Sequence, residues 1–180
     1  MTFSADLAQA FPDCFRVLIL DNEVTVDAFV TEPPLPWARL VAVDGIYRLA
    51  PNYPTPLTPE HADREELNWD VVSPGAICTA LAQLDDGIDM VAFGNNAAQG
   101  LPLALALPAA RRRAMGVVIY GRSLPEQAQY EAAGYTRFCS RTDLPAVIAE
   151  AARAAGRAPA LAFINTIEHN EQNYHTPWNG

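Results

Sequence analysis

Five short apolar runs, each followed by polar residues, punctuate the chain. Arg16-Val17-Leu18-Ile19-Leu20 ends in Asp21-Asn22-Glu23, and Arg39-Leu40-Val41-Ala42-Val43 ends in Asp44-Gly45. Asp89-Met90-Val91-Ala92-Phe93 runs into Gly94-Asn95-Asn96, and Gly116-Val117-Val118-Ile119-Tyr120 into Gly121-Arg122-Ser123. Continuous runs of this length read as strands buried on both faces, as in a parallel sheet. The fifth run, Tyr135-Thr136-Arg137-Phe138-Cys139, alternates polar with apolar and therefore suits an edge strand, followed by Ser140-Arg141-Thr142. Leu161 to Ile167 would add a sixth strand.

Helical stretches lie between the runs. Ser73-Pro74 opens an Ala- and Leu-rich segment to about Leu84, with Ser as N-cap and Pro in the first helical position. Ser123 and Glu126 have capping-box spacing ahead of Gln127–Ala133, which Gly134 would stop. Thr142 or Asp143 would cap a helix through Ala155, closed by Gly156. Leu101–Ala114 is apolar at Leu103, Leu105 and Leu107, although Pro102 and Pro108 limit regular helix there.

Strands alternating with helices predict an α/β protein with a three-layer, doubly wound parallel sheet, ordered 2-1-3-4-5 among the first five runs, in a single domain spanning 1–180. Ligands of such sheets bind outside the carboxyl ends of the strands. That end would be lined by Asp21, Asn22, Glu23, Asp44, Asn95, Asn96, Arg122, Ser123, Ser140 and Arg141.

Composition narrows the chemistry. A net charge of −9 and a pI near 4.7 oppose binding to a nucleic-acid backbone, which needs clustered basic residues. The chain has no lysine, which excludes a P-loop and Schiff-base catalysis. Cys14, Cys78 and Cys139 are odd in number and widely spaced, so neither a disulfide framework nor a zinc site is indicated. No apolar run approaches the roughly 18 residues needed to span a bilayer, and the N-terminus lacks the pattern of a signal peptide. A cytoplasmic protein without membrane contact is the expectation.

The segment Asp89-Met-Val-Ala-Phe93, a helix, Gly116-Val-Val-Ile-Tyr120, and then Glu131-Ala-Ala-Gly-Tyr-Thr-Arg-Phe-Cys-Ser-Arg141 with its following helix resembles the second half of a response-regulator receiver domain, from about Asp85 to Ala155. The resemblance implies a flavodoxin-like fold. It also implies that the acid pair holding Mg²⁺ falls on Asp21 and Asn22, and the phosphate acceptor on Gly94 or Asn95. The switch hydroxyl would fall on Gly121 or Ser123 and the phosphate-contacting lysine on Arg141. One acid is neutralised, the acceptor is missing and Arg replaces Lys, so the pattern is that of a pseudo-receiver working through protein contact. Gly87-Ile-Asp-Met-Val-Ala-Phe-Gly-Asn-Asn-Ala-Ala98 is also similar to the Asp/Glu racemases, with Gly94 in place of the catalytic Cys. The last third of the chain is similar to cobalamin-binding domains but has no Asp-x-His-x-x-Gly motif. Three matches with three missing signatures share only a fold, and fold alone does not name a function.

Two further regions stand apart. A Pro-rich insertion, 45–70, carries Tyr47, Tyr53 and Trp69 and exceeds the usual length of such a connection. Thr58-Pro59-Glu60 starts a short helix in it. It would serve either as a lid or partner-docking surface, or as a loop packed back on its own sheet. A tail, 168–180, bears Tyr174 and Trp178, which are candidates for docking on a partner or a second copy. His169 and His175 read as solvated tail residues rather than metal ligands, and His61 as a helix-start residue.

The remaining candidates each have a plain structural reading beside the functional one. Arg111-Arg112-Arg113 would be a phosphate patch or, as favoured here, a basic helix end offsetting the helix's negative pole. Asp21, Glu23 and Asp44 would suit Mg²⁺, or would be solvated acids. Asn95 and Asn96 would bind a ligand or shape a tight turn. Two functions follow. The first is a non-catalytic regulatory or assembly module with no cofactor, acting on a protein partner or by self-association. The alternative is a small-molecule enzyme or binding protein, with Mg²⁺ and acids in the crevice and Arg122 or Arg141 holding an anionic substrate.

Overall fold

A computed structural model describes residues 3–21, 35, 37–43, 46–49, 74–94, 100–120 and 126–165. In chain order the elements are α1 (Phe3–Ala10), β1 (Phe15–Asp21), β2 (Trp37–Val43), β3 (Ile46–Leu49), α2 (Pro74–Ala82), β4 (Met90–Gly94) and α3 (Gly100–Ala106). There follow α4 (Ala109–Met115), β5 (Gly116–Tyr120), α5 (Gln127–Ala132), β6 (Phe138–Ser140), α6 (Leu144–Ala155) and β7 (Pro159–Asn165). The chain is thus α/β. Its strands form one sheet in the order β3-β2-β7-β1-β4-β5-β6, parallel throughout except for β3, which turns back antiparallel on β2.

The five runs keep the expected relative order 2-1-3-4-5, as β2, β1, β4, β5 and β6, with one further strand inserted among them. The second strand does not touch the first, because β7 lies between them, pairing with β1 from Phe15↔Pro159 to Asp21↔Asn165 and with β2 at Trp37↔Leu161. Ala160, Leu161, Ala162 and Ile164 are almost fully buried, and an interior position gives this apolar run two neighbours and two covered faces. A strand expected to add to the fold near its tail is instead central to it.

Alternate residues of each strand feed two cores. On one face Leu18, Leu20, Val91, Phe93, Val118 and Ile164 pack with Leu7 of α1 and Phe11 just past it, Ile77 and Leu81 of α2, Leu103 of α3 and Tyr130 of α5. On the other, Val17, Ile19, Ala92, Val117, Ile119 and Phe163 pack with Leu144, Ile148 and Ala152 of α6. Period-two alternation in strands that are apolar on both sides is what requires helices on both faces. Burying one such side chain contributes about 1.5–3 kcal/mol.

Local differences from the sequence reading have identifiable causes. The fifth run shortens to Phe138–Ser140, because Tyr135 leaves the strand direction and enters the core, where its hydroxyl donates to the Ala104 carbonyl. Its ring lies edge-on to Phe93 at 5.7 Å and to Tyr130 at 6.1 Å, and it passes over Gly116 where a β-carbon would collide with it. The Leu101–Ala114 stretch forms two helices broken at Leu107-Pro108, as its prolines require. Glu126, not Ser123, occupies the N-cap position of α5, without a side-chain cap. The insertion begins as a strand, β3, which carries Tyr47; residues 50–73, with Tyr53, Trp69 and the expected short helix, lie outside the described residues. The 168–180 tail, with Tyr174 and Trp178, lies outside them as well. No described helix is long and apolar enough to cross a membrane.

Candidate functional site

The carboxyl ends of β1, β4 and β7 meet around Asp21, and a side chain from the connection after β6 reaches it. From β1 the chain proceeds toward β2 on one side, and from β4 toward β5 on the other, so the reversal of winding falls between the ends of β1 and β4. Leu20↔Phe93 is the last paired position there, which sets Asp21 beside Gly94. A β-carbon at Gly94 would overlap the carboxyl group and the β-carbon of Asp21, so the absence of a side chain at 94 is what admits the carboxylate. On the other flank, the register sets Asn165 opposite Asp21.

Asp21 is buried, its side chain only 1% exposed, yet it carries a carboxylate. Its charge is met by Arg141, on the connection from β6 to α6, whose Nε donates to Oδ2 at 3.2 Å and Nη2 to Oδ1 at 3.3 Å. The Arg141 side chain itself is 35% exposed. Ser140, next in the chain, donates from its hydroxyl to Asp143 at 2.8 Å and accepts the Asp143 backbone N–H at 3.1 Å, closing the turn that leads into α6. This turn fixes the loop that aims Arg141 at β1.

Of the expected crevice residues, the structure therefore brings together Asp21 and Arg141, with Ser140 adjoining. Asn22, Glu23, Asp44, Asn95, Asn96, Arg122 and Ser123 lie outside the described residues. Of the expected Mg²⁺ set Asp21, Glu23 and Asp44, only Asp21 is described, and both its oxygens face Arg141. Among the described residues no three His, Cys, Asp or Glu side chains come together as a metal would require. Asn165 was missed by the sequence reading, although Leu161–Ile164 ending in a polar residue has the same form as the other strands.

The arginine triplet is structural where it is engaged. Arg111 donates to the Asp85 carbonyl at 2.8 Å and to the Asp86 carboxylate at 2.6 Å. Arg112 donates to the carbonyls of Leu107, Ala133 and Leu105 at 2.8, 2.9 and 2.5 Å, joining the turn between α3 and α4 to the end of α5. Arg113 is exposed. Cys14, Cys78 and Cys139 are free thiols packed in or against the cores. Burial pushes the Cys139 thiol up to about 11, with Asp143 adding to the rise and Arg137 opposing it, so it is a poor nucleophile at neutral pH.

No protein-family model, no curated protein and no solved structure matches this chain.

Proposed function

We propose that the chain is a non-catalytic regulatory or assembly module of flavodoxin-like, receiver-related architecture that acts through protein contacts. The observation carrying this reading is the Asp21–Arg141 pair over Gly94. Where the receiver pattern needs an acceptor carboxylate, the chain has Gly94 or Asn95, neither of them an acid, and the space above Gly94 is filled by Asp21. That carboxylate, which the same pattern would give to Mg²⁺, has both oxygens turned to a guanidinium. The centre is thus internally neutralised. The β3 strand, the Pro-rich segment and the aromatic tail supply contact surface, in a single domain at work in the cytoplasm on a protein partner or a second copy.

Incubation with a small phosphodonor and Mg²⁺, followed by intact-mass measurement, tests the reading. An unmodified protein is the expected result. A phosphoryl adduct abolished by Asp21→Asn would refute it.

A second reading, a small-molecule protein using the carboxyl-end crevice, is favoured by one observation. Asp21 is the one charged side chain that is buried among the described residues, and it lies at the position where ligands of parallel sheets bind. On that reading Arg141 would hold an anionic substrate, and Mg²⁺ would displace it from Asp21.

A further inference from the structure

Asp-Gly occurs twice in the chain, at 44–45 and at 86–87, and the second pair lies among the described residues, in the turn between α2 and β4. Glycine at 87 is imposed by packing. A β-carbon there would collide with the backbone carbonyl of Ser4, a buried residue of α1, and with the Asp85 carboxylate, so a larger residue would have to displace α1. The Gly87 carbonyl accepts from Arg16 Nε at 2.6 Å, its N–H donates to Asp85 Oδ1 at 2.8 Å, and Leu84 and Ile88 to either side of the turn are buried. Asp86 stands out into solvent, its side chain 99% exposed, with one oxygen accepting from Arg111 Nη2 at 2.6 Å. A surface pair of that kind adds little, so the restraint on the turn lies with Gly87.

An aspartate followed by glycine is the least hindered setting for backbone cyclisation, because the attacking nitrogen carries no neighbouring side chain. The Gly87 nitrogen adds to the side-chain carboxyl carbon of Asp86, forming an N–C bond and a five-membered succinimide. A C–O bond of the acid breaks, and its hydroxyl leaves with the amide proton as water. Water then opens the ring at either carbonyl, returning aspartate or giving isoaspartate, in which the main chain runs through the side-chain carbon and is one CH2 longer.

Ring formation removes the Gly87 N–H, and with it the bond to Asp85, and it moves a residue whose carbonyl is held by Arg16 and whose α-carbon lies against Ser4. We propose that Asp86 is a site of aspartate isomerisation which the native turn keeps closed and which opening of the turn uncovers. The packing that demands glycine at 87 is thus what makes the bond labile, and the same packing protects it while the chain is folded. An isoaspartyl chain is too long at a point fixed by Ser4 and Arg16, so the modification is a one-way mark of chains that have opened, and it loosens the seat of α1.

Incubating the full chain in mildly acidic buffer at body temperature, folded or in urea, and following isoaspartate at position 86 by peptide mapping tests this. The unfolded chain should isomerise at least about tenfold faster than the folded one, since a closed site reacts only through its open fraction. Asp85→Ala, which removes the acceptor of the Gly87 N–H, should raise the folded rate by roughly two- to tenfold, the equivalent of one lost hydrogen bond, and leave the rate in urea unchanged. Arg16→Gln, which frees the carbonyl side of Gly87, should act in the same direction. Asp86→Glu, whose longer side chain cannot close the five-membered ring, should abolish the signal. Equal rates folded and in urea, a folded rate untouched by both Asp85→Ala and Arg16→Gln, or a signal that survives Asp86→Glu would overturn the proposal. Isoaspartyl chains separated from unmodified ones should unfold at lower urea, and equal midpoints would refute the one-way mark.

Discussion

The carboxyl group of Asp21 sits in the space that a side chain at Gly94 would occupy, so two neighbouring strands share one side chain's volume at the centre of the sheet. Gly94→Ala should therefore destabilise the protein by about 1–3 kcal/mol, the usual cost of overpacking a well-filled interior. Combined with Asp21→Ala, which removes the carboxyl group though not the β-carbon and so relieves the closest part of the overlap, the loss should be smaller than the sum of the two single losses. Urea denaturation of the two single variants and the double variant measures the coupling. Strict additivity would mean that the two residues do not compete for that space.

Arg112 and Arg113 are adjacent and chemically identical, yet their environments differ. Arg112 satisfies three backbone carbonyls at the junction of α3, α4 and α5, whereas Arg113 is exposed. Arg112→Ala should cost about 2 kcal/mol and Arg113→Ala no more than about 0.5 kcal/mol, read from midpoints of chemical denaturation.

Stability should fall on the alkaline side. Burial pushes Tyr130 up to about 12 from its ordinary 10.0, with the Glu126 carboxylate adding to the rise, and pushes Cys139 up to about 11 from 9.0. Tyr135 is raised as well, again chiefly by burial, with the Arg112 charge opposing. Each native group keeps its proton at a pH where the unfolded chain has released its own, so the unfolded state binds fewer protons and gains as pH rises. The decline begins near the unfolded value of each group, about 9 for the thiol and 10 for the phenols. It proceeds at about 1.4 kcal/mol per pH unit per group until the native value is reached. Denaturant midpoints followed from about pH 8 to pH 11 should show it, and Cys139→Ala should flatten the portion above pH 9.

Apolar runs revealed the strands because a strand buried on both faces has to be apolar at nearly every position, as Val17–Leu20, Val91–Phe93 and Val117–Ile119 are. Strand neighbours leave no comparable trace. Nothing in Leu161–Ile164 says that it pairs with β1 and β2 instead of extending an edge, because that choice is made by contacts over more than a hundred residues of chain. Tyr135 misled the reading of the fifth run for a similar reason. Its alternation with Thr136 and Arg137 mimics an edge strand, while its ring is drawn into the core by the gap over Gly116 and the carbonyl of Ala104. Within the site, Asp21 and Arg141 were legible as polar residues closing apolar runs. That they face each other, and that Gly94 is the condition for it, follows from the register of β1 on β4 and could not be read from either segment alone.

Native mass spectrometry of the intact chain, with and without Mg²⁺ and repeated on Asp21→Ala and on a chain lacking residues 168–180, bears most directly on whether this is a module working through contacts. The expected result is an adduct-free protein whose mass is indifferent to Mg²⁺ and to Asp21→Ala, and whose association is lost with the tail. A retained small-molecule or metal adduct that disappears in Asp21→Ala would contradict it and make the carboxyl-end crevice a ligand site.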